Sequence, residues 1–210
     1  MAVSIEFTEE MKGFVTFGET DYQLGREQGE KNNTPLMFHL TIVLDDVSRF
    51  IADPEHTGRA NGYIRCPQLG ASDCAVENGV FNLFVAGSAG NRKLMLYRLF
   101  STDKSGQPFT LSGFKDVADD PKSDVEEIWK DTSTLYTRIL RGHVTAGEEK
   151  TGAEVLASGI INILKLDFVK QLTTFKTSGG TQEERIAAQF GFGKLFLGSL
   201  WEVYGSKFEH

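Results

Sequence analysis

The residues able to do chemistry are few: four histidines, two cysteines, some paired acids and three arginines set in apolar runs. His39 sits mid-run beside Thr41, where an imidazole can act as general base or anchor a ligand hydroxyl. A half-buried histidine bonded to a neighbour is the plainer reading of the same pattern. His143 ends "LYTRILRGHV" beside a loop, and His56 in "DPEHTG" reads as solvated. The pairs Asp45–Asp46 and Asp119–Asp120 could bracket calcium between two loops, but no EF-hand spacing accompanies them. Ordinary solvated acids are the simpler account. H-E-x-x-H and C-x-x-C are both absent, so no metal site is expected.

Nucleophile and phosphate motifs fail in the same way. "VAGSAGN" suggests a nucleophile elbow, yet Ala86 stands where the first glycine is needed. "GFGKLFLG" has neither the dinucleotide nor the P-loop order of glycines, so no cofactor is expected. Arg98, Arg138 and Arg141 interrupt apolar strands, where each needs a carboxylate partner or an exit to water. The sharper reading of an arginine there is an anion anchor in a pocket. Cys66 and Cys74 flank "PQLGASD" and could bridge a hairpin in an exported chain; two reduced thiols fit a cytoplasmic one.

Composition narrows the class. The chain has 210 residues, 40% of them hydrophobic, with sixteen phenylalanines and a formal charge of -7. That length suits one domain able to bury a core without staples. With no basic tract, nucleic acid is not an expected partner. "MAVSIEFTEEMKG" lacks a signal-peptide pattern, and no 18-residue apolar stretch predicts a membrane span. The expected location is cytoplasmic.

The elements that must position these residues read as strands. "EEMKGFVTFG" opens the series, and residues 18–34 read as a polar, glycine-rich surface loop. In "PLMFHLTIVL", Phe38, Leu40, Ile42 and Leu44 share one face by period two, and His39 falls on the other. Further strands follow in "RANGYIRC", "ENGVFNLFVA", "KLMLYRLF", "FTLSGFK", "STLYTRILRGHV" and "AEVLASGIINIL". The acidic stretch 116–131 reads as an excursion with one helical turn, and "TAGEEKTG" as a polar loop. "KLDFVKQLTTF" is ambiguous between helix and strand. From Thr181, with Glu184 three residues on, a capping box opens a helical segment over about 181–204.

Six glycines, at positions 13, 62, 79, 113, 142 and 159, lie in or beside these strands. Glycine weakens a strand, so its repetition points to a strongly bent sheet or to close approach of another element. The fold class expected is mainly β: a strongly curved antiparallel sheet, either a lipocalin-like barrel or a sandwich, with a C-terminal helix. Residues 1–210 read as a single β-rich domain.

The blocks "FTEEMKGFVTFG", "FHLTIVLDDVSRFIADPEHTGRANGYIRC", "VENGVFNLF", "MLYRLF", "TLSGFKDVADDP", "TLYTRILRGHV" and "LFLGSLWEVY", spread from about residue 7 to 204, together carry a resemblance. The chain resembles an uncharacterised accessory region of some bacterial glucose-methanol-choline, or cholesterol-oxidase-like, oxidoreductases. The resemblance implies a companion module and carries over no flavin or catalytic residue.

The function expected is a non-catalytic module binding a small lipid- or sterol-like ligand or a partner protein, with self-association as a further option. Its candidate ligand contacts are Phe38, His39, Leu96, Arg98, Phe109, Leu111 and Gly113. The alternative is a small enzyme acting on a hydrophobic substrate, with His39 or His143 as acid/base.

Overall fold

A computed structural model describes residues 2–70, 72–87, 92–118, 130–164 and 174–204. The acidic stretch 119–129, with Asp119 and Asp120, and most of "KLDFVKQLTTF" lie outside the described residues.

Strand β1 (Ser4–Phe17) alternates with period two, turning Ile5, Phe7, Glu9, Met11 and Val15 to one side. Strands β2 (Pro35–Leu44), β3 (Thr57–Arg65), β4 (Cys74–Ala86), β5 (Arg92–Thr102), β6 (Pro108–Ala118), β7 (Thr134–Arg141) and β8 (Val155–Asn162) follow as antiparallel neighbours in chain order. Because β1 pairs with both β2 and β8, the sheet closes on itself as an eight-stranded barrel. Closure removes the edges an open sheet would expose. A short strand β9 (Lys176–Ser178) adds to the free part of β1, pairing Ser4 with Ser178. The barrel, not the sandwich, is the architecture.

The inward faces fill the barrel. On β2 they are Leu36, Phe38, Leu40, Ile42 and Leu44, the phase read from the sequence. Phe38, Leu99, Leu111, Leu135 and Ile139 have no surface that water could reach, from outside or from an internal void. The middle of the barrel is therefore a packed core.

Residues 18–34 are not the surface loop expected. They contain helix α1 (Tyr22–Lys31), whose N-terminus is capped by the Asp21 carboxylate accepting from the Leu24 amide. Glycines 25 and 29 made the segment read as irregular, yet they are what lets the helix dock. A Cβ at Gly25 would stand 2.1 Å from the Ser158 carbonyl oxygen, and one at Gly29 2.5 Å from that of Val15. The Thr16 hydroxyl donates to the Gly25 carbonyl at 2.8 Å, tying helix to barrel. Gly25→Ala is expected to lower stability by about 2–4 kcal/mol, well outside the ~0.5 kcal/mol typical of harmless surface changes. Urea denaturation checks this, and a midpoint unchanged from wild type would refute the docking geometry.

Further helices among the described residues are α2 (Val47–Ala52), α3 (Ala146–Lys150) and α4 (Gln182–Tyr204). "TAGEEKTG", read as a loop, holds α3 and its own capping box between Thr145 and Glu148. At α4 the expected box is present: the Thr181 amide donates to Glu184 at 2.6 Å, and the Glu184 amide donates to the Thr181 hydroxyl at 3.2 Å. Helices α2 and α4 cover the end of the barrel where β1 begins, and Phe192 of α4 is 3% exposed there. No described helix is long and apolar enough to cross a membrane.

Candidate functional site

Period two along β1 and β6 has an unusual result inside the barrel. Glu9 lies in phase with Phe7 and Met11, and Lys115 in phase with Phe109, Leu111 and Val117. Both charged side chains therefore point inward, 3% and 1% exposed. Lys115 Nζ donates to Glu9 Oε1 at 2.6 Å. Tyr97, inward on β5, donates its hydroxyl to Glu9 Oε2 at 2.8 Å. The ammonium also stands 5.2 Å from the centre of the Tyr97 ring.

Position along the strands explains how two charges meet. The β1–β8 ladder runs from Phe17 only to Lys12, and the β6–β7 ladder from Phe109 only to Phe114. Glu9 and Lys115 both lie beyond those ends, where β7 and β8 have stopped and β1 and β6 continue. The ion pair spans the interval between the two longer strands. Removing two charges from water costs several kcal/mol each, offset only by good geometry and further hydrogen bonds. Here each carboxylate oxygen accepts one charge-assisted or phenolic bond.

Burial, and then the adjacent Glu9 charge, push the Tyr97 hydroxyl well above its ordinary value of 10. The folded protein thus holds the phenol neutral, as the donor Glu9 requires. An unfolded phenol ionises near its ordinary value, so this contribution to stability is complete below about pH 10 and lost as pH rises. Thermal unfolding between pH 8 and 11 is expected to show a falling alkaline limb that is shallower in Tyr97→Phe; an equal slope in both proteins would contradict it.

Aromatic rings enclose the triad. Tyr97 lies against Phe38 at 5.9 Å and Phe81 at 5.1 Å between ring centres. Toward the barrel end, Phe7 stacks on Phe175 at 4.9 Å, and Phe192 meets Phe7, Phe175 and Phe50 at 5.9, 5.9 and 6.1 Å. Phe50, Phe175 and Phe192 come from elements outside the barrel wall. The end of the barrel beyond the triad is thus capped by elements outside the barrel wall.

The residues singled out from sequence divide between two faces. Phe38, Phe109, Leu111 and Gly113 point inward, and Leu135 packs over Gly113. Leu96, Arg98 and His39 do not join them and cannot line the same space. On β5 the inward phase belongs to Met95, Tyr97 and Leu99, and on β2 to Phe38 and Leu40, so their chain neighbours face outward. Arg98 donates to the Val144 carbonyl and to Glu149. His39 stacks on Tyr63, with Nδ1 3.4 Å from Glu10. His143 lies with Nε2 3.1 Å from the Ser101 carbonyl, a backbone contact. Cys66 and Cys74 are unbridged and buried, and burial raises both thiols. Among the described residues no group of acids, histidines and cysteines is arranged to hold a metal ion.

Sequence reasoning missed Glu9 and Lys115. The available signal was one acid and one base, each in phase with a buried apolar face on a different strand. These features define a closed antiparallel barrel with a charged, neutral-overall core beneath a helical cap. Comparisons with protein-family models, curated proteins and solved structures find no match to this chain.

Proposed function

We propose that this chain is a non-catalytic module binding a small apolar ligand with a neutral polar head, serving in the cytoplasm as companion to an oxidoreductase. The observation that carries the reading is the buried Glu9–Lys115–Tyr97 triad beneath a cap made by elements outside the barrel. A packed apolar core would be cheaper without these charges, so their presence argues for use. The companion role rests on the resemblance of the sequence blocks.

The triad also sets the chemistry of the head group. Glu9 and Lys115 cancel, and Lys115 has N–H groups beyond the one Glu9 takes. A ligand hydroxyl or ketone can accept from Nζ without adding charge to a low-dielectric site. A carboxylate would add a second negative charge beside Glu9, which is unfavourable there. Sterol-like alcohols and ketones are therefore favoured over fatty acids. Since the core is packed, the ligand takes the place of Phe192 and Phe175, whose rings meet at that end of the barrel.

The test is native mass spectrometry and thermal shift with a sterol, a long-chain alcohol and a fatty acid. The neutral ligands are expected to be retained and to raise Tm, and Phe192→Ala to speed their uptake about tenfold or more. No retention and no shift, in wild type and in Phe192→Ala alike, would sink the proposal. A second reading, docking of a partner protein, has one observation of its own: α4 exposes Phe190 at 76% and Ile186 at 58%. The enzyme alternative draws no support from His39 or His143, neither of which reaches the triad.

A further inference from the structure

We infer that the outer wall of the barrel carries a second, separate site, centred on Arg138, for a small flat molecule bearing a carboxylate. Strand register sets Arg98, Ser112, Arg138 and Ser158 side by side across β5 to β8, facing outward. The next row toward the capped end is Leu96, Phe114, Tyr136 and Ile160. Helix α3 flanks this face over β5 and β6, and α1 flanks it over β8 and β1.

In the polar row Arg98, Ser112 and Ser158 each hold short hydrogen bonds. Arg98 is held by the Val144 carbonyl and by Glu149 at 2.6 Å. The Ser112 hydroxyl donates to the same Glu149 oxygen, and the Ser158 hydroxyl donates to the Glu19 carbonyl. Arg138 differs. Its Nη2 makes a long 3.3 Å bond to the Thr20 carbonyl, and its Nε, buried, has no hydrogen-bond partner among the described residues. No carboxylate among the described residues pairs with it; the nearby Glu149 is already taken by Arg98 and Ser112.

An unpartnered buried N–H in a native protein calls for an explanation. Nε and Nη2 form one edge of the guanidinium, the edge that takes a carboxylate through two parallel bonds. The surroundings specify the rest of the ligand. Tyr22 covers the guanidinium at 4.6 Å and meets Phe114 and Tyr136 edge-on, while those two rings stack at 5.2 Å. For a ligand to take the whole edge, Tyr22 at the start of α1 must move off the guanidinium and carry the Thr20 carbonyl away from Nη2. The flat body of the ligand then lies on Phe114 and Tyr136. One arginine suits a single negative charge. A phosphate dianion would meet Glu149 and the acidic chain with too little compensation.

Isothermal titration with 2-naphthoate as probe, and with neutral 2-naphthol as its control, tests the site. Naphthoate is expected to bind wild type at least tenfold more tightly than naphthol. Arg138→Gln is expected to remove that preference. Arg138→Lys, which keeps the charge and loses the fork, should retain only a minor part of it. The Lys variant also keeps the test valid if the Gln variant fails to fold. Equal binding of naphthoate and naphthol, no binding of either at millimolar concentration, or full affinity in both variants would overturn the proposal. The sterol experiment reports on the barrel interior, so either site can fail without the other.

Discussion

Lys115→Met is expected to destabilise the protein by about 3–5 kcal/mol, because it leaves the Glu9 carboxylate buried without its counter-charge. The Tyr97 hydroxyl then remains the carboxylate's only described donor, and one phenolic bond does not replace an ammonium. The combined variant Glu9→Leu, Lys115→Met, Tyr97→Phe removes charge and partner together. It is expected to return to wild-type stability or exceed it by ~1–4 kcal/mol, as replaced buried ion pairs do elsewhere. Urea unfolding with linear extrapolation measures both. A Lys115→Met cost under about 1 kcal/mol would mean that the pair is not formed.

The same variants separate structure from binding. If the triad exists to hold a ligand head group, the triple variant folds well and no longer distinguishes a sterol from the matching hydrocarbon. A triple variant that still prefers the sterol would place the polar contact elsewhere. Stability and recognition move in opposite directions under one set of substitutions, which no purely structural role for the triad reproduces.

How far the sequence discloses this arrangement differs by element. The alternation of Phe38, Leu40, Ile42 and Leu44 marks one buried face directly, since a barrel wall has one dry side and period two follows. The Thr181–Glu184 box marks the start of α4 for an equally local reason. Strand β5 is harder. Leu94 and Leu96 are as apolar as Met95 and Leu99, because helices and loops cover part of the outer wall, so hydropathy there does not tell inside from outside. Leu96 and Arg98, candidate ligand contacts by sequence, share the outer phase of this strand. Helix α1 was hidden by the glycines that dock it. The Glu9–Lys115 pair joins residues 106 apart in the chain, and no local pattern reports such a contact.

Gly159→Ala is expected to abolish accumulation of folded protein. Gly159 is the meeting point of three strands: it pairs with Val15 on β1 and with Thr137 on β7. A Cβ there would stand 2.1 Å from the Phe14 carbonyl oxygen and 2.8 Å from the Val15 Cα. Both obstacles are backbone, so no rotamer change relieves them, and the β1–β8 ladder itself must part. That ladder is the seam that closes the barrel, and it is short, running from Lys12 to Phe17 on β1. Opening it exposes the edges of β1 and β8 and removes the seat of α1, whose Gly25 rests against the Ser158 carbonyl one residue away. Gly113→Ala makes the matched comparison. Its Cβ would first meet the Leu135 side chain, at 3.0 Å, and Leu135 can shift. That variant is expected to fold with a loss of about 1–3 kcal/mol, the usual cost of overpacking. Soluble yield, far-ultraviolet circular dichroism and urea midpoints of the two variants decide the matter. Equal losses would mean that the glycines serve bending alone, whereas a gap of several kcal/mol assigns Gly159 to closure of the barrel and Gly113 to the packing of its interior.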